Sequence, residues 1–139
     1  MKTVIKITLA VIALLFLTAC SAMPTPAEDP SEPVQAEYIK ISAEEAKRMI
    51  DESEVIIVDV RTTEEFEEAR IEGSILIPEY AIEQLAAEML SDKEATILIY
   101  CRTGRRSELA AKILIEQGYQ NVYDFGGIVD WPYETISGE

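Results

Sequence analysis

The residue types that could carry out chemistry are concentrated in residues 101–107, which read Cys-Arg-Thr-Gly-Arg-Arg-Ser and begin with Cys101. It follows the apolar run of residues 96–100, which predicts a buried strand, and precedes a helical pattern over residues 107–117 with Ser107 as its cap. Backbone amides in such a turn can converge on one point, and the helix start adds partial positive charge. A thiolate is stabilised there, so the sequence predicts a reactive Cys101 with a lowered pKa.

The turn after Cys101 concentrates positive charge in a chain that is otherwise acidic. Arginines and turn amides together can stabilise an anionic sulfur or bind an oxyanion. The other reading is a buried structural cysteine beside a basic turn, since buried free cysteines are common. The charged surroundings favour the reactive thiol. The candidate substrate-binding residues are Arg102, Thr103, Gly104, Arg105, Arg106 and Ser107.

Short motifs accompany this turn in a consistent order: Asp59-Val60-Arg61 with Glu64-Glu65-Phe66, residues 73–78, Gln117-Gly118-Tyr119 with Asn121-Val122-Tyr123, and Gly126-Gly127-Ile128 with Trp131. With them, the loop of residues 101–106 resembles the active-site loop of the rhodanese (sulfurtransferase) family. The similarity runs over about residues 38–133. One stretch departs from the family, which often has His, Ile and Pro before the glycine that matches Gly73; here residues 70–73 read Arg-Ile-Glu-Gly. We interpret that position as structural.

The resemblance implies a sulfurtransferase with a rhodanese-like α/β fold, a mostly parallel sheet with helices on both faces. Cys101 would take sulfane sulfur from a donor such as thiosulfate and hold it as a persulfide. A thiol or cyanide acceptor would then remove it, in two half-reactions. We expect no cofactor and no metal, a small anionic donor and a thiol acceptor as partners, and a monomer.

Two other functions stay open at this point. A cysteine phosphatase or arsenate reductase would use the same thiolate. Phosphatases of this type have five residues between cysteine and arginine, whereas four separate Cys101 from Arg106 and the next position is Ser107. The smaller loop suits sulfur better than phosphate. The second alternative is a non-enzymatic module that carries sulfur to a partner in the cell envelope or docks on it.

The rest of the chain alternates strand and helix patterns, which independently implies a mostly parallel sheet covered on both faces. Ser42 with Glu45 predicts a capping box, and Thr62 with Glu65 resembles a second helix start. Strands are predicted at residues 38–41, 55–58, 75–77, 96–100 and 122–123, and helices or turns at 82–89, 107–117 and 126–131. The predicted buried stripe of the helix at 107–117 is Leu109, Ala110, Ile113 and Leu114, with Gly118 as its left-handed C-cap and Trp131 in the core.

Asp59 and Arg61 follow the apolar run of residues 55–58. Ligands of open parallel sheets gather outside the carboxyl ends of strands, so Asp59 and Cys101 are expected at the same rim. We interpret Asp59 and Arg61 as residues that support the loop without binding the substrate.

The N-terminus has the features of an export signal. Lys2 and Lys6 precede 13 almost entirely apolar residues, a run too short for a comfortable membrane span. It ends in Leu-Thr-Ala-Cys, which resembles the bacterial lipobox and predicts lipidation of Cys20; an ordinary secretory signal is the alternative. We therefore divide the chain into a signal peptide (1–19), a lipidated Cys20 with an acidic, proline-rich tether (20–37) and the rhodanese-like domain (38–139). The expected location is the cell envelope, outside the cytoplasm, with the protein on a bacterial membrane only through its lipid anchor.

The charge of the chain limits its partners. It has 139 residues, with 12 basic and 26 acidic side chains, a net charge of −14 and no histidine. Loss of residues 1–19, in which only Lys2 and Lys6 are charged, would leave 10 basic residues and a net charge of −16. This charge argues against nucleic acid as a partner. Without histidine, neither a Cys–His dyad nor a histidine zinc site is available.

The chain contains two cysteines, Cys20 and Cys101. Two cysteines in an exported protein suggest a disulfide by default. A lipid thioether on Cys20 would prevent that pairing and leave Cys101 as the single free thiol of the mature protein.

Overall fold

A computed structural model describes residues 37–138. The signal peptide and nearly all of the tether lie outside the described residues. The strands are β1 (Ile39–Lys40), β2 (Ile56–Asp59), β3 (Ser74–Leu76), β4 (Thr96–Cys101) and β5 (Asn121–Gly127). The α-helices are α1 (Ala43–Glu52), α2 (Thr63–Glu68), α3 (Ile82–Met89) and α4 (Arg105–Glu116), and short 3-10 helices span Glu79–Ala81 and Ile128–Asp130.

The five strands form one sheet in the order β1-β5-β4-β2-β3, and every neighbouring pair is parallel. β4 therefore lies at the centre, and its last residue, Cys101, reaches the carboxyl-end rim. Asp59, the last residue of β2, stands opposite Tyr100 in the register. The predicted shared rim of Asp59 and Cys101 is confirmed.

Alternate residues of β4 face opposite sides of the sheet, as the two-residue period of a strand requires. Ile97, Ile99 and Cys101 belong to one buried cluster, which also contains residues of α3 and α4. Leu98 and Tyr100 belong to a second cluster, with residues of α1 and the buried Trp131. The sheet is thus covered on both faces, and the predicted α/β fold is confirmed.

Local signals account for the helix starts. The Ser42 hydroxyl accepts the Glu45 amide at 3.1 Å, but the Glu45 carboxylate binds Arg48 and does not complete the predicted box. Thr62 and Glu65 do form a reciprocal capping box before α2. Among residues 37–138, no helix has the length and apolar character that crossing a membrane requires.

Three further sequence predictions were wrong in detail. Helix α4 begins at Arg105, two residues before Ser107, so Ser107 is not its cap. Leu109 is 40% exposed, and Ala111 takes its predicted place in the buried stripe. β5 runs on to Gly127, where we predicted a turn. The left-handed Gly118 after α4 is confirmed.

Candidate active site

Cys101 is held at the exit of the central strand with its sulfur inside the protein. The residue is only 1% exposed and packs in the cluster beneath α3 and α4. Its sulfur accepts a hydrogen bond from the backbone amide of Gly104 at 3.0 Å. The chain therefore turns back within three residues and directs an N–H group at the thiol.

Gly104 makes this turn possible. It occupies the N-cap position of α4 with φ of 99°, a left-handed conformation that side-chain-bearing residues rarely adopt. Ser107, in the first turn of α4, stabilises the conformation of the loop. Its hydroxyl donates to the Gly104 carbonyl at 3.0 Å and lies 3.4 Å from the Gly126 carbonyl. Ser107 is completely buried, so its role here is to hold the loop against β5.

The surroundings lower the pKa of the Cys101 thiol. Burial alone would raise this pKa, because it disfavours the thiolate. The amide and the hydroxyl of Ser107, and the amides of Gly104 and Thr103, favour the thiolate and outweigh that effect. The loop is thus a cradle for a negatively charged sulfur.

Gly127 allows the backbone of the loop at residues 102–103 to pack closely against β5. It pairs with Cys101 in the sheet, next to a register shift between β4 and β5. A Cβ atom at Gly127 would lie 2.3 Å from the Arg102 carbonyl oxygen and 2.7 Å from the Thr103 Cα. The loop can pack this closely only because the position has no side chain. Gly127 belongs to the Gly126-Gly127-Ile128 motif, but the sequence alone gives no physical reason for a glycine at this position.

Arg106 forms an ion pair that the sequence analysis missed. Its two terminal nitrogens each donate to a carboxylate oxygen of Glu65 at 2.8 Å, across 41 positions in the sequence. Glu65 also accepts the Thr62 amide at 3.1 Å in the capping box of α2. The capping signal identified Glu65, but only the folded structure reveals its second partner, Arg106.

The other basic side chains of the loop lie in solvent. Arg102 and Arg105 are exposed, and neither forms a salt bridge with any carboxylate in the part of the chain that the structure describes. Arg105, Thr103 and Gly104 line a cleft of about 450 Å³ beside the loop. The lining is completed by Lys40, Ile41, Glu108, Asp124, Phe125 and Gly126.

Asp59 and Arg61 form a buried ion pair behind the rim. Asp59 is 0% exposed and Arg61 5%. The Asp59 carboxylate accepts the Arg61 backbone amide and its guanidinium, with a shortest contact of 2.6 Å, and the guanidinium also donates to the Ala69 carbonyl. Within residues 37–138, neither side chain forms a hydrogen bond with Cys101, which suits the predicted supporting role.

Within residues 37–138, no cluster of three or more His, Cys, Asp or Glu side chains is arranged to hold a metal ion. The groups gathered at the rim are a thiol, backbone amides, and guanidinium groups of which two are paired with carboxylates. Such a site can form a covalent bond through sulfur and bind an anion.

Comparison with known proteins shows one domain family, whose relatives carry names of different functions. Residues 42–133 match the model of the rhodanese-like domain. The "Thiosulfate sulfurtransferase PspE" of Escherichia coli (strain K12) is 35% identical over 81 residues, which are 58% of this chain and 78% of that protein. The "Putative sulfur carrier protein YrkF" of Bacillus subtilis (strain 168) is 40% identical over 98 residues, 69% of this chain and 52% of that protein. The chain thus spans about half the length of the Bacillus relative.

A solved structure agrees with these relatives. The "rhodanese with anions from E. coli" superposes with a TM-score of 0.58 at 33% identity, and the match covers 61% of this chain and 100% of that one.

Proposed function

The chain belongs to the rhodanese-like domain family, and on that basis we propose that it is a sulfurtransferase in which Cys101 carries sulfane sulfur as a persulfide. The observation that supports this most strongly is the hydrogen bond from the Gly104 amide to the Cys101 sulfur, at 3.0 Å, in a loop that lowers the thiol pKa. The E. coli relative named as a thiosulfate sulfurtransferase supports thiosulfate as the donor.

The first half-reaction forms one S–S bond and breaks another. The Cys101 thiolate attacks the outer sulfur of thiosulfate, and sulfite leaves with the electron pair of the broken bond. No proton moves, so no general base is needed in a chain without histidine. The cradle amides that stabilised the thiolate then stabilise the persulfide anion.

The second half-reaction returns the thiolate. Cyanide, or a thiolate acceptor, attacks the outer sulfur of the persulfide and takes that sulfur away. The electron pair of the broken S–S bond stays on Cys101. The free enzyme is restored, and the two steps give ping-pong kinetics.

Steady-state turnover tests the enzymatic form of this proposal. Thiocyanate production from thiosulfate and cyanide should depend on Cys101 and give parallel lines in double-reciprocal plots. Cys101→Ser should abolish it. An absence of turnover by wild type, under conditions in which Cys101 alkylates readily, would contradict an enzyme acting on these substrates.

The second candidate is a sulfur carrier that docks on an envelope partner. It is supported by the Bacillus relative, whose name describes a sulfur carrier. In that case Cys101 would accept one sulfur from thiosulfate but release it slowly to cyanide. Single-turnover loading without multiple turnovers distinguishes carrier from enzyme.

A phosphatase or arsenate reductase is a weaker candidate. Phosphatases of this type have an arginine that binds the oxyanion, and the nearest equivalent here, Arg106, is occupied by both oxygens of Glu65. The loop is also one residue shorter than the phosphatase spacing.

For the location, we propose a lipidated Cys20 that holds the protein at a bacterial membrane outside the cytoplasm. Support comes from the short apolar run and the Leu-Thr-Ala-Cys sequence that ends at Cys20. The partners we propose are an anionic sulfur donor and a thiol acceptor, with the protein acting as a monomer. The net charge of −14 disfavours nucleic acid.

A further inference from the structure

Helix α2 carries Glu65, the partner of Arg106, but no buried side chain anchors this helix. It spans six residues, Thr63–Glu68, and none of them is buried. A helix this short is unstable on its own, because its few hydrogen bonds do not offset the cost of starting a helix. Contacts at its two ends must therefore hold it in place, and the Thr62 capping box provides those at its start.

The other end of α2 is bound by residues 136–138, a segment that we call the strap. The Gly138 amide donates to the Glu67 carbonyl at 2.9 Å. Arg70 and Ile136 form an antiparallel bridge, in which each backbone amide donates to the other residue's carbonyl, at 2.8 and 2.9 Å. Because the last carbonyls of a helix have no partner within it, the strap satisfies a group that would otherwise need water.

The side chain of Arg70 joins the strap to the same end of the helix. Its guanidinium donates to the Phe66 carbonyl at 3.3 Å and to the Gly138 carbonyl, and lies 4.7 Å from the centroid of the Phe66 ring. A positive charge at the C-terminus of a helix is favourable. Arg70 is also the first residue of the stretch that departs from the rhodanese family, so this departure coincides with a set of contacts that fix α2.

The residues on either side of Arg70 are bound as well. The Ala69 carbonyl accepts the Arg61 guanidinium, and the Ile71 amide donates to the Tyr100 hydroxyl at 3.2 Å. Tyr100 directly precedes the reactive cysteine in β4. The connection from α2 to β3 is therefore held at three consecutive residues, and the strap contributes the contacts of the middle one.

The position of α2 matters to the thiol because Glu65 holds Arg106 with two hydrogen bonds of 2.8 Å. The pKa of Arg106 is raised first by these hydrogen bonds and to a smaller extent by the Cys101 thiolate. The attraction is mutual, so the guanidinium in this position favours the thiolate. The other charged side chains at the rim are exposed or paired with each other: Arg102, Arg105, Asp59 and Arg61.

We propose that Arg70 is a positioning residue, which acts with the strap to hold α2 so that Glu65 keeps Arg106 beside the Cys101 sulfur. Loss of these contacts lets the end of α2 move, and the charge of Arg106 is then less well placed to stabilise the thiolate. The proposal rests on the proposed function only in taking Cys101 to be the reacting group.

The pH dependence of Cys101 alkylation tests this without any sulfur transfer. The full-length protein is treated with iodoacetamide, and the rate is read on the Cys101 peptide by mass spectrometry. Arg70→Ala should raise the midpoint by about 0.2–0.7 pH units, the range that partly exposed charges can produce. Arg70→Lys, which keeps a positive charge at the end of α2, should restore part of the shift. Arg48→Ala, which removes an exposed arginine of α1, should leave the midpoint unchanged.

A pair of proline substitutions tests the strap itself. Ile136→Pro removes the amide that donates to the Arg70 carbonyl and should raise the midpoint in the same direction. Ser137→Pro is the matched control, because the Ser137 amide takes no part in the bridge. It should keep the wild-type midpoint.

A double variant separates positioning from a general loss of structure. If Arg70 acts through Glu65, Arg70→Ala should add no further shift in a Glu65→Gln background. The proposal is overturned if the full shift persists in that background, if folded Arg70→Ala keeps the wild-type midpoint, or if Ile136→Pro matches Ser137→Pro. Circular dichroism checks folding, and the proline pair decides if Arg70→Ala unfolds. A protein that gives these midpoints but transfers no sulfur would contradict only the proposed function.

Discussion

The backbone amide of Gly104 donates a hydrogen bond to the sulfur of Cys101 at 3.0 Å. This contact joins the last residue of the central strand to the N-cap of the following helix. Because Gly104 has a left-handed φ of 99°, the chain reverses within the loop and its amides point at the thiol. The loop amides thus stabilise a negatively charged sulfur that is buried away from water.

Alkylation of Cys101 by iodoacetamide should therefore rise with pH through a midpoint below the free-cysteine value of about 8.5. Burial opposes the shift, and the polar groups of Ser107, Gly104 and Thr103 that favour the thiolate outweigh it, with the Gly104 amide in direct contact with the sulfur. Peptide mapping over a range of pH measures the midpoint. A midpoint at or above the free value would show that the cradle does not activate the thiol.

The same shift makes folding stability depend on pH. A thiol whose pKa is lower in the folded than in the unfolded state adds stability above the unfolded pKa, and loses it as pH falls through the folded pKa. Cys101→Ser should lack this component. Denaturant titrations of both proteins at several pH values should show the wild-type advantage growing toward alkaline pH.

Gly127→Ala should disable the site while the fold survives. The new methyl group would lie 2.3 Å from the Arg102 carbonyl oxygen, and overpacking of this kind costs about 1–3 kcal/mol. We expect the loop to shift, the Cys101 pKa to rise and sulfur transfer to fall about tenfold or more, since 1.4 kcal/mol in a barrier is a factor of ten.

Gly118→Ala is the control for that substitution. Gly118 has a φ of 89° at the far end of α4 and nothing within 4 Å of its position for a Cβ. It should lower stability by about 1 kcal/mol through backbone strain and leave Cys101 reactivity unchanged. Equal losses of reactivity in the two variants would mean that close packing at Gly127 does not shape the cradle.

Arg61→Met should be strongly destabilising, because it leaves the fully buried Asp59 carboxylate without its partner. Removal of one member of a buried pair typically costs about 3–5 kcal/mol. Denaturant unfolding measures the loss. Asp59→Asn combined with Arg61→Met should recover part of it. Arg48→Met, which removes two exposed ion pairs on α1, should change little. A small effect of Arg61→Met alone would contradict a supporting role for this pair.

The architecture was predictable because its signals are local. The uninterrupted apolar run at residues 96–100 identified the central strand, and Thr62 with Glu65 identified the start of α2 by a hydrogen-bond pattern only three residues long. The rim position of Asp59 followed from the rule that parallel strands end together.

Contacts between distant segments were not predictable. In the sequence the three loop arginines look alike, and only the folded chain brings Glu65 of α2 to Arg106 of α4. The helix start was misplaced because Ser107 has the chemistry of a cap, whereas a left-handed Gly104 takes that position and Ser107 bonds inward. The need for a glycine at position 127 depends on Arg102 and Thr103, which lie 25 and 24 residues earlier in the chain.

Lipidation of Cys20 stays a prediction, since that residue lies outside the described part of the chain. Metabolic labelling with a fatty acid should mark the wild-type protein in a bacterial host and leave Cys20→Ala unlabelled. The variant should also lose its membrane association on fractionation. Equal labelling of the two proteins would be incompatible with a lipid anchor at this position.

The most direct test of the account is the intact mass of the purified protein after thiosulfate and then after cyanide. Wild type should gain the mass of one sulfur atom, with the modification located at Cys101, and should lose it to cyanide. Cys101→Ser should do neither. A wild-type protein that stays unmodified by thiosulfate, yet hydrolyses an aryl phosphate in a manner that depends on Cys101, would contradict the sulfurtransferase and favour the phosphatase.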